Sequence, residues 1–352
     1  MAVCLVGTRW GLFLGQELRT FYQGPLVVCG RDAERVRRVA QLLDAQPASF
    51  DWESIPNHPE IESLIVAVPP QLHRDVALAG LRAGKHVFVE KPLATTLEDC
   101  DAMIEAAQAS GVVLAAGENI PFRPALIEAK RRLSQIGEPR LLYTSALHSA
   151  TQLDHLGTGI LLDFAVHHIR AVRELFGEPD TVFATSAAPS GPATGSLDNA
   201  TLVLASRAGW QAVLALSWQA SAGAQPEFLC TGTHGALKIW PDSTTLDFYP
   251  LEPTWRTRAI SRISPHWLQV RFLSPETQRY RTRLPHADRM GYRAQLRSFM
   301  AATARALPDV ASAREARRDV EIVMAAYASL ATGAPVECSP APVPAPLASP
   351  RR

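Results

Sequence analysis

Three groups of residues in this 352-residue chain have types and spacings that could do chemistry. The first is Glu90-Lys91-Pro92, placed directly after the apolar run Val87-Phe88-Val89. A buried parallel strand delivers the residues after it to the crevice at its carboxyl end. A Lys before a Pro is pushed out of the helical region, so its ammonium group can be aimed into that crevice. The second group is Asp163 and His167, four residues apart in a helical stretch and therefore expected on one face. Imidazole titrates near neutral pH, so His167 is the candidate general acid/base, with Asp163 expected to orient its ring. Lys91 would stabilise charge on a reacting oxygen. His168, rotated away on the same helix, is the candidate structural histidine.

The third group is the turn Gly7-Thr8-Arg9-Trp10-Gly11 after the apolar run Ala2-Val3-Cys4-Leu5-Val6. It resembles a G-x-G-x-x-G phosphate-binding turn, but Arg9 replaces the second glycine and Leu12 the third. Arg9 must either point away or act as a phosphate clamp. A further run, Leu26-Val27-Val28-Cys29, ends in Gly30-Arg31-Asp32. An Arg at this place accommodates a ribose 2′-phosphate, whereas an acidic residue would bind the 2′-hydroxyl. Arg31 therefore favours NADP(H) over NAD(H), with Asp32 as a helix N-cap.

The elements that must position these groups can be read from the pattern. Apolar runs at 2–6, 26–29, 64–68, 87–89 and 112–116 alternate with helical segments, the one after Thr96 opening on a capping-box pattern and closing at Gly111. Such alternation predicts a parallel sheet with right-handed crossovers. After Asn119 the pattern changes. A long helix over Gly159–Phe176 ends at Gly177, and short strand-like runs come next without intervening helices. They predict an antiparallel sheet, closed by helices near 289–306 and 313–330. The expected organisation is an α/β dinucleotide-binding domain over 1–120 and an α+β domain over 121–335. A Pro-rich tail over 338–352 is expected to be disordered.

The segment Val68-Pro69-Pro70-Gln71-Leu72-His73, then Ala83-Gly84-Lys85-His86-Val87 and Glu90-Lys91-Pro92, resembles the Gfo/Idh/MocA superfamily, which carries P-x-x-x-H, A-G-K-H-V and E-K-P. Gly157 to His167 likewise resembles its G-G-G-x-L-x-D-x-G-x-H, with Thr158 and Ala165 at two glycine positions. Glu118-Asn119 and Phe122-Arg123 resemble its E-N-Y-R at the domain junction, with Ile120-Pro121 inserted. The resemblance implies a Rossmann domain followed by an α+β domain with an open, mostly antiparallel sheet whose outer face forms homodimers or homotetramers. It implies an NAD(P)-dependent dehydrogenase or reductase acting on a sugar, cyclitol or related cyclic metabolite, with Lys91, Asp163 and His167 catalytic. Pro69, His73, Glu90 and Lys91 join Gly7, Thr8, Arg9, Trp10, Gly11 and Arg31 as cofactor contacts. Arg123 and His148 join the catalytic three at the substrate. Asp154 and His155 are expected at the surface of a loop facing the same cleft, and Glu118 is given no chemical role. Reduction of an imine or unsaturated secondary metabolite, a ligand-sensing role without turnover, and a net non-redox glycoside-cleaving role are the competing readings.

Composition narrows the rest. Lys and Arg number 35 against 34 for Asp and Glu, so there is no electrostatic footprint for nucleic acid or an anionic membrane. No apolar run reaches spanning length. Five scattered cysteines form no C-x-x-C pair and are expected as buried free thiols in a reducing cytoplasm. No spaced Cys/His cluster points to a metal.

Overall fold

The inner strands of the first half alternate between two buried faces, which is why their sequences read as apolar runs rather than alternating ones. The computed structural model describes residues 2–48, 51–147, 158–187, 197–219, 227–239, 245–251, 280–283, 287–305 and 309–338. Strands β1 (Ala2–Val6), β2 (Leu26–Cys29), β3 (Gln46–Pro47), β4 (Ile61–Val66), β5 (His86–Glu90) and β6 (Leu114–Gly117) form one sheet in the order β3-β2-β1-β4-β5-β6. All its pairings are parallel. Val3, Leu5 and Phe88 face helices α1 (Trp10–Arg19) and α2 (Ala33–Leu42). Cys4, Val6, Val87 and Val89 face α3 (His73–Arg82) and α4 (Leu97–Ser110).

Local chemistry fixes the helix ends. Asp32 accepts the amide N–H of Arg35 at 3.0 Å and Thr96 that of Asp99 at 3.2 Å, so α2 and α4 start on side-chain caps. Gly111 closes α4 in the left-handed region at φ +68°. α1 and α3 carry no side-chain cap. These two come after β1 and β4, the adjacent strands between which the sheet order reverses.

Helix α5 (Pro124–Arg132) leads to β7 (Pro139–Leu147), the centre of a second, nine-stranded sheet. Its other strands are β8 (Thr181–Thr185), β9 (Asn199–Ala205), β10 (Gln211–Ser217), β11 (Glu227–Gly232), β12 (Gly235–Ile239), β13 (Thr245–Pro250), β14 (Tyr280–Arg283) and β15 (Val336–Glu337). The order is β14-β13-β12-β11-β7-β10-β9-β8-β15. β7 and β10 pair in parallel; the other pairings are antiparallel. One face buries Leu142, Leu202, Leu214 and Leu237 in the main core. The other leaves Leu141 and Tyr143 exposed.

The long helix expected over 159–176 contains a π-helical turn, Leu161–Ala165, before α6 (Val166–Phe176). The two C-terminal helices return to the first sheet. Phe299 of α7 (Tyr292–Ala304) packs on Phe88 with ring centroids 5.7 Å apart. α8 (Ala311–Thr332) touches α4, β6, α6 and β8 together. All five cysteines are buried, and none is in a disulfide. Of the expected tail, Cys338 is buried and its amide N–H donates to Asp180 O at 2.8 Å, while residues 339–352 lie outside the described residues.

Candidate active site

Glu90 ends β5, and Lys91 turns off the sheet through a cis Lys91–Pro92 peptide. The Lys91 ammonium group reaches the π-helical turn, donating to Asp163 Oδ1 at 2.5 Å and to the Asp163 carbonyl at 2.9 Å. It also lies 6.0 Å from the centroid of the Phe164 ring. Asp163 is buried, whereas Lys91 keeps 23% of its side chain exposed. Two residues 72 apart in sequence thus meet where the carboxyl end of a parallel strand faces the second half of the chain.

Asp163 does not orient His167. The ring's Nδ1 lies 2.8 Å from both carboxylate oxygens of Glu118. The expectation of an Asp163/His167 pair assumed α-helical spacing. The π-helical turn carries more residues per turn and swings Asp163 away toward Lys91. Glu118 itself, given no role from the sequence, is only 5% exposed, and its Oε1 also accepts the Ile120 amide at 3.0 Å. Its position directly after β6, at the same sheet edge as Lys91, was the available signal. Burial pushes the Glu118 carboxyl up. The His167 charge and hydrogen bond, the Arg170 charge and the Ile120 amide outweigh it and hold the group at about 2.

His168 is structural as expected. It is buried, 2.6 Å from Thr144 Oγ1, and stacks on Phe228. His73 departs from its expected role at the cofactor. Its side chain is fully buried, with Nδ1 2.8 Å from Pro92 O and Nε2 3.0 Å from Val68 O. Burial pushes its proton affinity down. It braces two crevice turns from behind, and no face remains for a ligand. Pro69 is exposed at the end of the strand that His73 supports. Arg123 is buried at the junction, 3.5 Å from Asn119 Oδ1, and Asn119 in turn donates to Met290 O. His148, Asp154 and His155 lie outside the described residues.

The residues around the first turn fit a dinucleotide. Gly7 sits at φ +114°, and a Cβ there would lie 2.2 Å from Ala67 O, so only glycine holds this turn. The first amides of α1 have no side-chain cap, and an uncapped helix start binds phosphate. Thr8 Cγ2 would touch a Cβ on Gly30 at 3.2 Å, so the Gly7 turn and the end of β2 approach closely. Arg9 and Arg31 are both exposed here. Trp10 is 43% exposed and packs against Phe13 and Tyr292. Glu90 Oε2 takes the Lys91 amide at 3.1 Å, and its buried Oε1 has no hydrogen-bond partner among the described residues. Burial raises this carboxyl to about 7 against the opposing charge of Lys91.

Comparison with known proteins gives the family and the fold. Residues 2–118 match the family model described as the oxidoreductase family with NAD-binding Rossmann fold, and residues 129–238 match the GFO/IDH/MocA C-terminal domain. The chain is 32% identical over 227 residues to the scyllo-inositol 2-dehydrogenase (NADP(+)) IolU of Bacillus subtilis (strain 168), covering 60% of this chain and 67% of that protein. It is 32% identical over 178 residues to the scyllo-inositol 2-dehydrogenase (NAD(+)) of the same organism, covering 48% and 52%. With the levoglucosan dehydrogenase of Pseudarthrobacter phenanthrenivorans it shares 31% over 171 residues, covering 45% and 44%. The matched stretches thus span from under half to two thirds of these relatives. A solved levoglucosan dehydrogenase in complex with NADH and levoglucosan superposes with a TM-score of 0.79 at 20% identity, covering 96% of this chain and 99% of that one.

Proposed function

The chain belongs to the Gfo/Idh/MocA oxidoreductase family, and from that premise we propose that it transfers hydride between NADP(H) and a carbon bearing oxygen in a sugar, cyclitol or related cyclic metabolite. The observation that carries this reading is a pair of contacts, Lys91 with Asp163 and His167 with Glu118, each joining the carboxyl end of a parallel strand to the helical segment over 161–176. The relatives named for inositol and levoglucosan dehydrogenation support the substrate class, and they include enzymes named for either dinucleotide.

The Gly7–Gly11 turn and the start of α1 would hold the pyrophosphate, and Arg31 the 2′-phosphate that distinguishes NADP(H). The bound nicotinamide supplies or accepts the hydride. In the oxidising direction His167 takes the substrate hydroxyl proton as the C–H hydride leaves, and the reverse reaction returns both. Lys91 donates a hydrogen bond to the same oxygen and stabilises its developing negative charge. Asp163 holds the Lys91 ammonium group in place, so the cation does not need to be ordered during reaction. Arg123 lies at the junction that would border the substrate.

The exposed Leu141 and Tyr143 on the outer face of the second sheet support homodimer or homotetramer formation there. The domain division proposed is 1–120 and 121–335. A sensing role without turnover rests on one observation, Arg9 at the second glycine position. Titrating NADPH fluorescence against the purified protein, then assaying inositols and anhydrosugars, decides between them. The expected result is saturable NADPH binding tighter than NADH, followed by turnover. No dinucleotide binding rejects the enzyme reading, and binding without turnover leaves the sensing role.

A further inference from the structure

The proton-transfer atom of the site can be identified from the pairing of its histidine. Glu118 stands after the sixth strand of the parallel sheet, and His167 stands on α6 in the other half of the chain, 49 residues later. Both carboxylate oxygens lie 2.8 Å from one ring nitrogen, Nδ1. An ionised carboxylate has only acceptor oxygens, so the proton in this contact must sit on Nδ1. A neutral imidazole carries one N–H, which leaves Nε2 with a lone pair. We infer that Glu118 is the positioning residue of His167: it fixes the Nδ1–H form and so makes Nε2 the atom that exchanges a proton with the substrate oxygen.

The surroundings of Glu118 are built to keep it in that role. Its Oε1 is anchored by the Ile120 amide, which sets the carboxylate plane independently of the histidine. Behind it lies Arg170, one turn along α6 from His167 and only 4% exposed. Arg170 Nε donates to Asp319 Oδ2 at 2.9 Å, and Arg173 Nη1 donates to the other oxygen of that carboxylate at 2.5 Å. Asp319 belongs to α8, so the helix that carries His167 is clamped to a helix that also touches β6. The titratable and charged groups facing Glu118 are therefore His167 and Arg170 from α6, Asp319 from α8 and Glu90 from β5. Arg170, the permanent cation among them, stands on the helix that carries the proton-transfer atom. Asp163 is excluded as the orienting group, because its carboxylate is committed to Lys91. The two dyads thereby divide the work: one fixes the cation at the reacting oxygen, the other fixes the base.

This inference rests on the dehydrogenase reading only for the meaning of the exchanged proton; the ring state itself can be read without turnover. Protein labelled with nitrogen-15 in histidine reports each ring's tautomer by long-range proton–nitrogen correlation, and His167→Asn identifies the signal. The intact protein above neutral pH is expected to show His167 as the Nδ1–H form. In Glu118→Gln the carbonyl oxygen can keep the Ile120 amide and turn its NH2 toward Nδ1, so the population is expected to move to the Nε2–H form. An unchanged His168 signal shows that the fold is retained. With a turned-over substrate, kcat of Glu118→Gln should fall about a hundredfold while the NADPH dissociation constant stays within about twofold, a fall in the lower range of general acid/base effects. The idea is overturned by an Nε2–H ring in the intact protein, or by a ring in Glu118→Gln that keeps the Nδ1–H form. Correct ring behaviour in a protein that turns over no polyol would retain the dyad and reject the dehydrogenase reading.

Discussion

The Gly7–Gly11 turn and the junction cluster lie at the same edge of one parallel sheet, but their polar groups are engaged differently. At the turn, Arg9 and Arg31 are exposed and α1 begins without a side-chain cap. The neighbouring helices α2 and α4 are capped by their own Asp32 and Thr96. At the junction the polar groups are paired inside the protein: Lys91 with Asp163, His167 with Glu118, Arg170 with Asp319. Groups left open by the fold are those a ligand must complete. Groups paired by the fold hold their geometry before any ligand arrives. Substitutions at the junction should therefore lower turnover, and those at the turn should lower affinity.

The largest separation is expected at His167. His167→Ala should reduce kcat by about 10²–10⁴-fold with NADPH affinity unchanged, whereas His168→Ala should act on stability instead. Steady-state kinetics beside a fluorescence titration checks both, and a parallel loss of NADPH affinity would erase the contrast. Lys91→Met should cost about 10²–10³-fold in kcat, the scale of removing a donor to a developing oxyanion. It also leaves Asp163 buried without its cation, so the melting temperature should fall as well. At the turn, Arg31→Ala should weaken NADPH by roughly ten- to a hundredfold, the loss of a charge-assisted hydrogen bond of about 1.5–3 kcal/mol, and leave NADH untouched. Equal loss for both dinucleotides would remove Arg31 from the 2′-phosphate. The smallest effect is expected from Arg9→Gly, where the sign is informative. Weaker NADPH binding identifies a phosphate clamp, and tighter binding identifies an obstructed turn.

Legibility in the sequence divides along the same line. Contacts local in sequence could be read directly: the apolar runs of β1, β4 and β5, the caps at Asp32 and Thr96, and the left-handed Gly111. The expectation for Lys91, Asp163 and His167 rests on the family pattern in their flanking residues. Their pairing could not be read, because a three-residue motif holds no record of a π-helical turn. Glu118 was undervalued for a similar reason. A glutamate after a short strand looks solvated until α6 is seen to pack over it. His73 failed in the opposite sense, since its partners are backbone carbonyls of Val68 and Pro92, which carry no side-chain signature. The parallel pairing of β7 with β10 depends on crossovers that alternation within a strand cannot reveal.

The return of the last helices has a consequence for how the molecule comes apart. α7 supplies Leu296 and Phe299 to the core beneath β1 and β5, and α8 lies against β6 and β8 at once. Neither sheet completes its hydrophobic core with residues adjacent to it in sequence. A chain ending near residue 120 would expose Phe88 and Val113, which α7 otherwise covers. The two sheets should then melt as one cooperative unit, and the slowest-exchanging amides should include those of α8, released only by global unfolding. Here the order of the chain and the order of stability are different maps: the helices made last hold together the sheet made first.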